Sequence, residues 1–196
     1  MPPLLFFAYL SQGYAVYWEA CENYQKRSLR NRYYIMGPNE IQVMSIPLEG
    51  GKSNKCPIGK VRISYTEPWQ DLHLKSIHAA YGKSAFFHFY IEDLTRIFEN
   101  AGEYLWTFNW KCLQFFLQKL HLTNMPFSTE FYEPDFEGND YRKVKISDFC
   151  VETRHLYSSL RGNELFLKQK PPSILDLLFC LGPESQIILK QIKIDL

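Results

Sequence analysis

Apolar residues run unbroken from Leu4 to Leu10, and Gly13 follows closely enough to end the helix that this run predicts. Ala15 to Glu19 (AVYWE) is short and rich in β-formers, which suits a strand. The polar, irregular stretch 20–32 (ACENYQKRSLRNR) reads as a loop. Arg32 to Met36 and Ile41 to Ile46 have strand character on either side of the turn signal Gly37-Pro38-Asn39, and together predict a hairpin-like pair. Residues 49–59 (EGGKSNKCPIG) carry the glycines, Ser, Asn and Pro of a surface loop, and Val61 to Tyr65 then alternates like a further strand.

The period changes after Pro68, a residue suited to a first helical turn. Trp69, Leu72, His73, Ser76, Ile77, Ala80 and Tyr81 share one helix face at three-and-four spacing, and Gly82 closes that helix. Ser84 is a predicted N-cap for a second helix reaching about Asn100. Gly102 separates it from a third, Tyr104 to His121, in which Leu105, Phe108, Cys112, Phe116 and Leu120 keep the helical period. Phe127 to Tyr132 and Tyr141 to Ile146 are strand candidates across the acidic loop EPDFEGND. Beyond Pro171-Pro172, Ser173 caps a short helix, ILDLLFCL, that stops at Gly182. Pro183 and Glu184 open a last segment with Ile187, Ile188, Ile192 and Ile194 apolar. With no internal repeat and no sharp composition shift, this order predicts one domain over residues 1–196, α/β or α+β, with a mixed β-sheet flanked by helices.

Composition narrows the classes. Thirteen Tyr, fifteen Phe and four Trp supply far more buriable surface than a disordered chain offers. A net charge of +1 gives no bulk attraction to phosphate backbones, so a nucleic-acid binder is not expected. The five cysteines are scattered and form no CxxC, which predicts reduced thiols in a cytoplasmic protein rather than a disulfide framework or a cysteine zinc site. Leu4–Leu10 is much shorter than the roughly 20 residues of a membrane span, and no basic region precedes it as in a signal peptide.

The chemistry concentrates in Glu22–Arg32 (ENYQKRSLRNR), where Lys26, Arg27, Arg30 and Arg32 face a single acid, Glu22. Tyr24, Asn23 and Asn31 add hydrogen-bonding groups, and the segment follows a predicted strand, where binding loops commonly lie. Two readings stay open: an anion pocket for a phosphorylated or nucleotide-bearing small molecule, or a solvated basic loop. Neither GxGxxG nor GxxxxGK[ST] backs the pocket. His73 lies on the apolar helix face; it is either a hydrogen-bonded packing residue or, if it lines a cleft, a proton-transfer group suited to neutral pH. No histidine pair has ligand spacing, so no metal is expected, and no cofactor is indicated. Cys21, beside the basic loop, is either a buried structural thiol or one whose pKa the neighbouring cations lower.

These segments resemble a family. ENYQKRSLRNR, then IQVMSIPL, then VRISYTEPWQDLHLKSIHAAYGKSAFF, and finally PPSILDLLFCLGPES are similar, in order, to the WbqC-like proteins, nearest to the branch common in Bacteroidetes. The motif positions are Tyr24, Lys26, Asn31 and Arg32; Pro68, Trp69, Gln70, His73, Ala80 and Tyr81; and Leu175 to Phe179, with Cys180 where an Asn is common. WbqC-like proteins are encoded among bacterial O-antigen and surface-polysaccharide biosynthesis genes. The resemblance thus implies a role in making or decorating a sugar, and the leading reading of the residues beside it is a transferase acting on an activated or nucleotide-linked sugar. Lys26, Arg30 and Arg32 would hold the anionic part, Tyr24, Asn31, Trp69 and Tyr81 would contact substrate, and His73 would transfer the proton. The alternative is a non-catalytic binding or scaffold protein that meets other polysaccharide-biosynthesis proteins. Relatives begin with a strand leading into a Pro-containing turn. Met1-Pro2-Pro3 resembles the inside of that turn, so the expectation is that this strand is lacking and an edge is left unpaired.

Overall fold

The computed structural model describes residues 1–37, 41–50, 56–143, 149, 171 and 173–194. The elements run α1 (Leu4–Ser11), β1 (Tyr17–Trp18), β2 (Arg32–Met36), β3 (Ile41–Ser45), α2 (Trp69–Tyr81), α3 (Phe87–Glu99), α4 (Leu105–Lys119), β4 (Phe127–Ser128), α5 (Ile174–Leu181) and α6 (Ser185–Gln191). The fold is mixed α/β, as the pattern predicts. The sheet content differs in arrangement: β2 and β3 pair antiparallel with Arg32 opposite Ser45, while β1 and β4 form a separate parallel pair.

Where hydrophobic period and turn chemistry agree, the predicted elements appear. The helix after Pro68 covers Trp69–Tyr81, and Gly82 ends it because a Cβ there would press on the His78 carbonyl oxygen. Ser173 caps α5 by accepting the Leu175 amide at 3.2 Å. Gly182 stops α5 in left-handed backbone (φ 55°), where a side chain would also run into the Phe86 ring.

Four expectations need correction. Val61–Tyr65 has the alternating burial of a strand, but it only bridges, Arg62 to Tyr104 and Ile63 to Leu48, and so forms no ladder. Helix α3 starts at Phe87, and the buried hydroxyl of Ser84 has no partner, so it caps nothing. Phe127–Tyr132 shrinks to two paired residues because β1, its partner, offers only Tyr17 and Trp18. Residues 38–40 between the hairpin strands and residues 144–146 lie outside the described residues, and Tyr141 to Lys143 is not a strand.

One hydrophobic core takes side chains from every helix and from the hairpin. Its centre is aromatic. Trp69 of α2 stands within 5.2–5.8 Å, ring to ring, of His73, Phe98 of α3 and Phe108 of α4, and Tyr33 of β2 meets His73 at 5.5 Å. A second group mounts β1: Trp18 contacts Phe6 of α1 and Trp106 and Trp110 of α4 edge-on. Tyr81 joins α2 to two neighbours. Its hydroxyl accepts the Met36 amide at 3.1 Å and bonds Asp176 of α5. At the far end, the Gln12 side-chain amide donates to the carbonyls of Leu189 and Ile192, fastening α1 to α6.

Truncating the central ring removes contacts to three elements at once. Trp69→Ala should therefore cost about 3–5 kcal/mol of stability, read as a shifted denaturant midpoint. A loss below about 1 kcal/mol would show that Trp69 is not the hub.

Candidate functional site

β1 and β4 point the same way, and in α/β sheets ligands bind just beyond the carboxyl ends of parallel strands. The two exits are tied through one carboxylate. Thr129 Oγ1 donates to Glu19 Oε1 at 2.6 Å and accepts the Ala20 amide, while the Cys21 amide donates to the same Glu19 oxygen. The other Glu19 oxygen takes Arg142 Nη1 at 3.1 Å. Arg142 also grips Asp140 in a two-pronged pair and lies 4.7 Å from the Tyr132 ring centre. This contact holds the Asp140 carboxyl below the usual range.

The basic loop is pinned rather than loose. The Tyr24 amide donates to Cys56, and the Ile58 amide to Glu22. The Tyr24 hydroxyl donates to Asn31 Oδ1 at 2.9 Å, and Asn31 Nδ2 donates to Ile46, so loop and hairpin share one buried chain of hydrogen bonds. At the tip, Arg27 holds left-handed backbone (φ 56°). Asn109 of α4 donates to the Arg30 carbonyl at 2.8 Å. The first part of this loop, with Tyr132, borders a cleft of about 370 Å³ lined by Cys21, Glu22, Asn23, Tyr24, Gln25 and Tyr132.

The candidate residues fall into two sets. Tyr24, Arg30, Asn31 and Arg32 come together, though of the four only Tyr24 lines the cleft. Burial raises the Tyr24 phenol, and the nearby Arg32 and Arg30 guanidiniums pull it partly back. Arg30 is not a free cation, because Glu22 takes it as a bidentate, mostly buried ion pair and its Nη2 also donates to the Arg142 carbonyl. Lys26 lies exposed outside the cleft lining. Arg32 Nε is buried without a hydrogen-bond partner, as is Asn109 Oδ1. Such orphaned groups are few in folded proteins and call for an explanation.

Trp69, His73 and Tyr81 form the second set, and none of them lines the cleft. They are 2%, 5% and 1% exposed in the core, where ligand contact and proton exchange with solvent are closed to them. His73 Nδ1 lies 3.0 Å from the Tyr33 hydroxyl. Burial lowers its pKa from 6.5 to about 4, against the opposing pull of a backbone hydrogen bond at Ser45. Its surroundings are those of a packing residue.

Sequence reasoning did not single out Glu19, Thr129, Tyr132, Asn109 or Arg142. The first three follow strand ends, a positional signal that could have found them. Arg142 carries no such signal. Cys21, Cys56 and Cys112 are free thiols, and burial pushes Cys112 up to about 11. Among the described residues, no group of three or more His, Cys, Asp or Glu side chains is placed to hold a metal ion, and no helix is long and apolar enough to cross a membrane.

The His73 shift sets a pH dependence. Between pH 6.5 and 4 the unfolded imidazole takes a proton that the folded one refuses, so stability falls as the pH drops through that window. The loss attributable to His73 should reach about 3 kcal/mol at its lower end. His73→Gln should flatten that part of a denaturation-against-pH profile, and a profile identical to that of the parent would refute the assignment.

Residues 1–171 match the family model described as the WbqC-like protein family. No curated protein and no solved structure matches the chain. The match takes in α1, the basic loop, the hairpin, α2 to α4 and β4, and hence every residue of the cleft. The chain belongs to the WbqC-like protein family.

Proposed function

We propose that this protein is a cytoplasmic transferase of surface-polysaccharide biosynthesis that binds an activated, nucleotide-linked sugar beside the 22–32 loop. Family membership supports the polysaccharide context. The observation that carries the ligand class is Arg32, a guanidinium whose Nε is buried and unpartnered beside the Tyr24 phenol. Arg32 is only partly buried as a residue, so an anionic oxygen would meet the outer part of its guanidinium rather than Nε, and a planar guanidinium suits phosphate oxygens better than a point charge does.

The neighbouring charges fit this division of labour. Glu22 neutralises Arg30, so Arg30 shapes the wall while Arg32, with Lys26 on the exposed side, supplies the positive field. Tyr24 and Asn31 hold each other in place, so the rim is ordered before any ligand arrives. A cleft of about 370 Å³ is at the small end for ligand sites, which suits a sugar ring with its phosphates reaching along the loop. In this reading Trp69, His73 and Tyr81 act from behind, by fixing the helix and hairpin that carry the loop.

Isothermal titration of the full chain with nucleotide-diphosphate sugars tests the reading. A charge-assisted hydrogen bond contributes about 1.5–3 kcal/mol, so Arg32→Ala should weaken binding by about 10–100-fold with the melting temperature little changed. If Arg32→Ala binds every nucleotide sugar as well as the parent does, the pocket is wrongly placed.

A further inference from the structure

We propose that the aromatic shelf made by the exposed Tyr17 and Phe127 with the partly buried Phe136 is a second binding subsite, and that with the acidic 130–137 segment it takes a cationic amino sugar. The proposal rests on the preceding reading for its saccharide chemistry but on a separate set of residues.

The shelf follows from strand register. Tyr17 pairs with Phe127 across the parallel β1–β4 ladder, so both side chains leave the same face. Their rings stand 5.6 Å apart at 33°, and Phe136 meets Tyr17 at 5.7 Å. On the opposite face Trp18 is wedged among Phe6, Trp106 and Trp110, so the shelf has a rigid mount. Tyr17 and Phe127 are 54% and 57% exposed. Clustered exposed aromatics of this kind mark binding surfaces.

The charge around the shelf selects the occupant. Glu130, Glu133, Asp135 and Glu137 are all exposed, and the segment 130–137 holds no Lys or Arg. Among the described residues none of the four makes a salt bridge, whereas the neighbouring Asp140 is taken up by Arg142. Four exposed carboxylates with no salt bridge among the described residues repel phosphate, so the nucleotide portion of a donor belongs on the Arg32 side and not here. They attract an ammonium group and accept hydrogen bonds from hydroxyls. A pyranose presents a flat C–H face to an aromatic ring and hydroxyls at its rim. A protonated amine on that ring adds attraction both to the carboxylates and to the π faces.

Size separates this ligand from a polypeptide. Two rings about half exposed, with Phe136 more covered, offer on the order of 200 Å², well short of the roughly 800 Å² per side in a stable protein interface. That area suits one or two sugar rings. The shelf also leads into the cleft: Phe127 and Tyr132, which lines the cleft, are separated by at most about 17 Å of extended chain.

The test titrates the full chain with a glucosamine trimer and an N-acetylglucosamine trimer, which share a scaffold and differ in amine charge, at a pH below the amine's pKa. The glucosamine trimer should bind roughly tenfold more tightly, and the preference should shrink as salt is added. Phe127→Ala and Tyr17→Ala, both at exposed positions, should weaken it about tenfold, while Glu133→Gln combined with Asp135→Asn should erase the preference. All of these variants should bind a nucleotide-diphosphate sugar as the parent does, so failure of the shelf and failure of the Arg32 pocket are read separately. Equal binding of the two trimers, no binding of either, or unchanged binding by Phe127→Ala would overturn the proposal. A lysine-rich peptide that binds where the trimer does not would make the surface a polypeptide site and overturn it equally.

Discussion

The join between the three central helices and the hairpin is hung from the indole of Trp69. One ring touches α2, α3 and α4 side chains, and through His73 it reaches Tyr33 of the hairpin. Interiors are packed as tightly as organic crystals, so a ring shared by that many elements fixes their mutual positions. Once β2 is placed, Asn31 and Arg32 at its entry are placed with it. The indole N–H is buried with no partner, so packing at this point outweighs one unsatisfied donor.

The site inherits its order from that frame. Tyr24, Asn31 and Ile46 form a buried relay between loop and hairpin, and Glu22 with Arg30 closes the wall. Ion pairs of this burial are poor sources of net stability, since desolvation offsets much of the attraction. Their role here is geometric: they use up charges that would otherwise compete with Arg32. On the far side Arg142 does the same for Glu19 and Asp140. The basic residues lie along 26–32 and the acidic ones along 130–137.

The helices and the hairpin were legible because each combines a period with its own punctuation, as with Pro68 and Gly82 around α2, or Ser173 and Gly182 around α5. The basic loop was legible as a charge run with aromatic and amide neighbours. Which of its cations is free was not legible, because Arg30's partners lie 8 and 112 positions away along the chain. His73, Trp69 and Tyr81 share motif positions with polar neighbours, yet the face they occupy turns inward. Periodicity gives a helix face but does not say whether that face meets a cleft or a core. The sheet was over-read for a similar reason: alternation along Val61–Tyr65 reports burial, whereas a strand also needs a partner of matching length.

The joint between Glu19 and Arg142 spans 123 positions, and the β1–β4 ladder closes a loop nearly as long. Contacts of that separation form slowly, since the chain between them must be ordered first. Here that intervening chain is the hairpin and three helices, the part with its own local signals. A nascent chain can therefore assemble its scaffold while the cleft does not yet exist, and the basic loop waits without its opposite wall until Arg142 has been synthesised. The cleft is thus a late feature of this protein's biogenesis, tied to the completion of the second half of the chain.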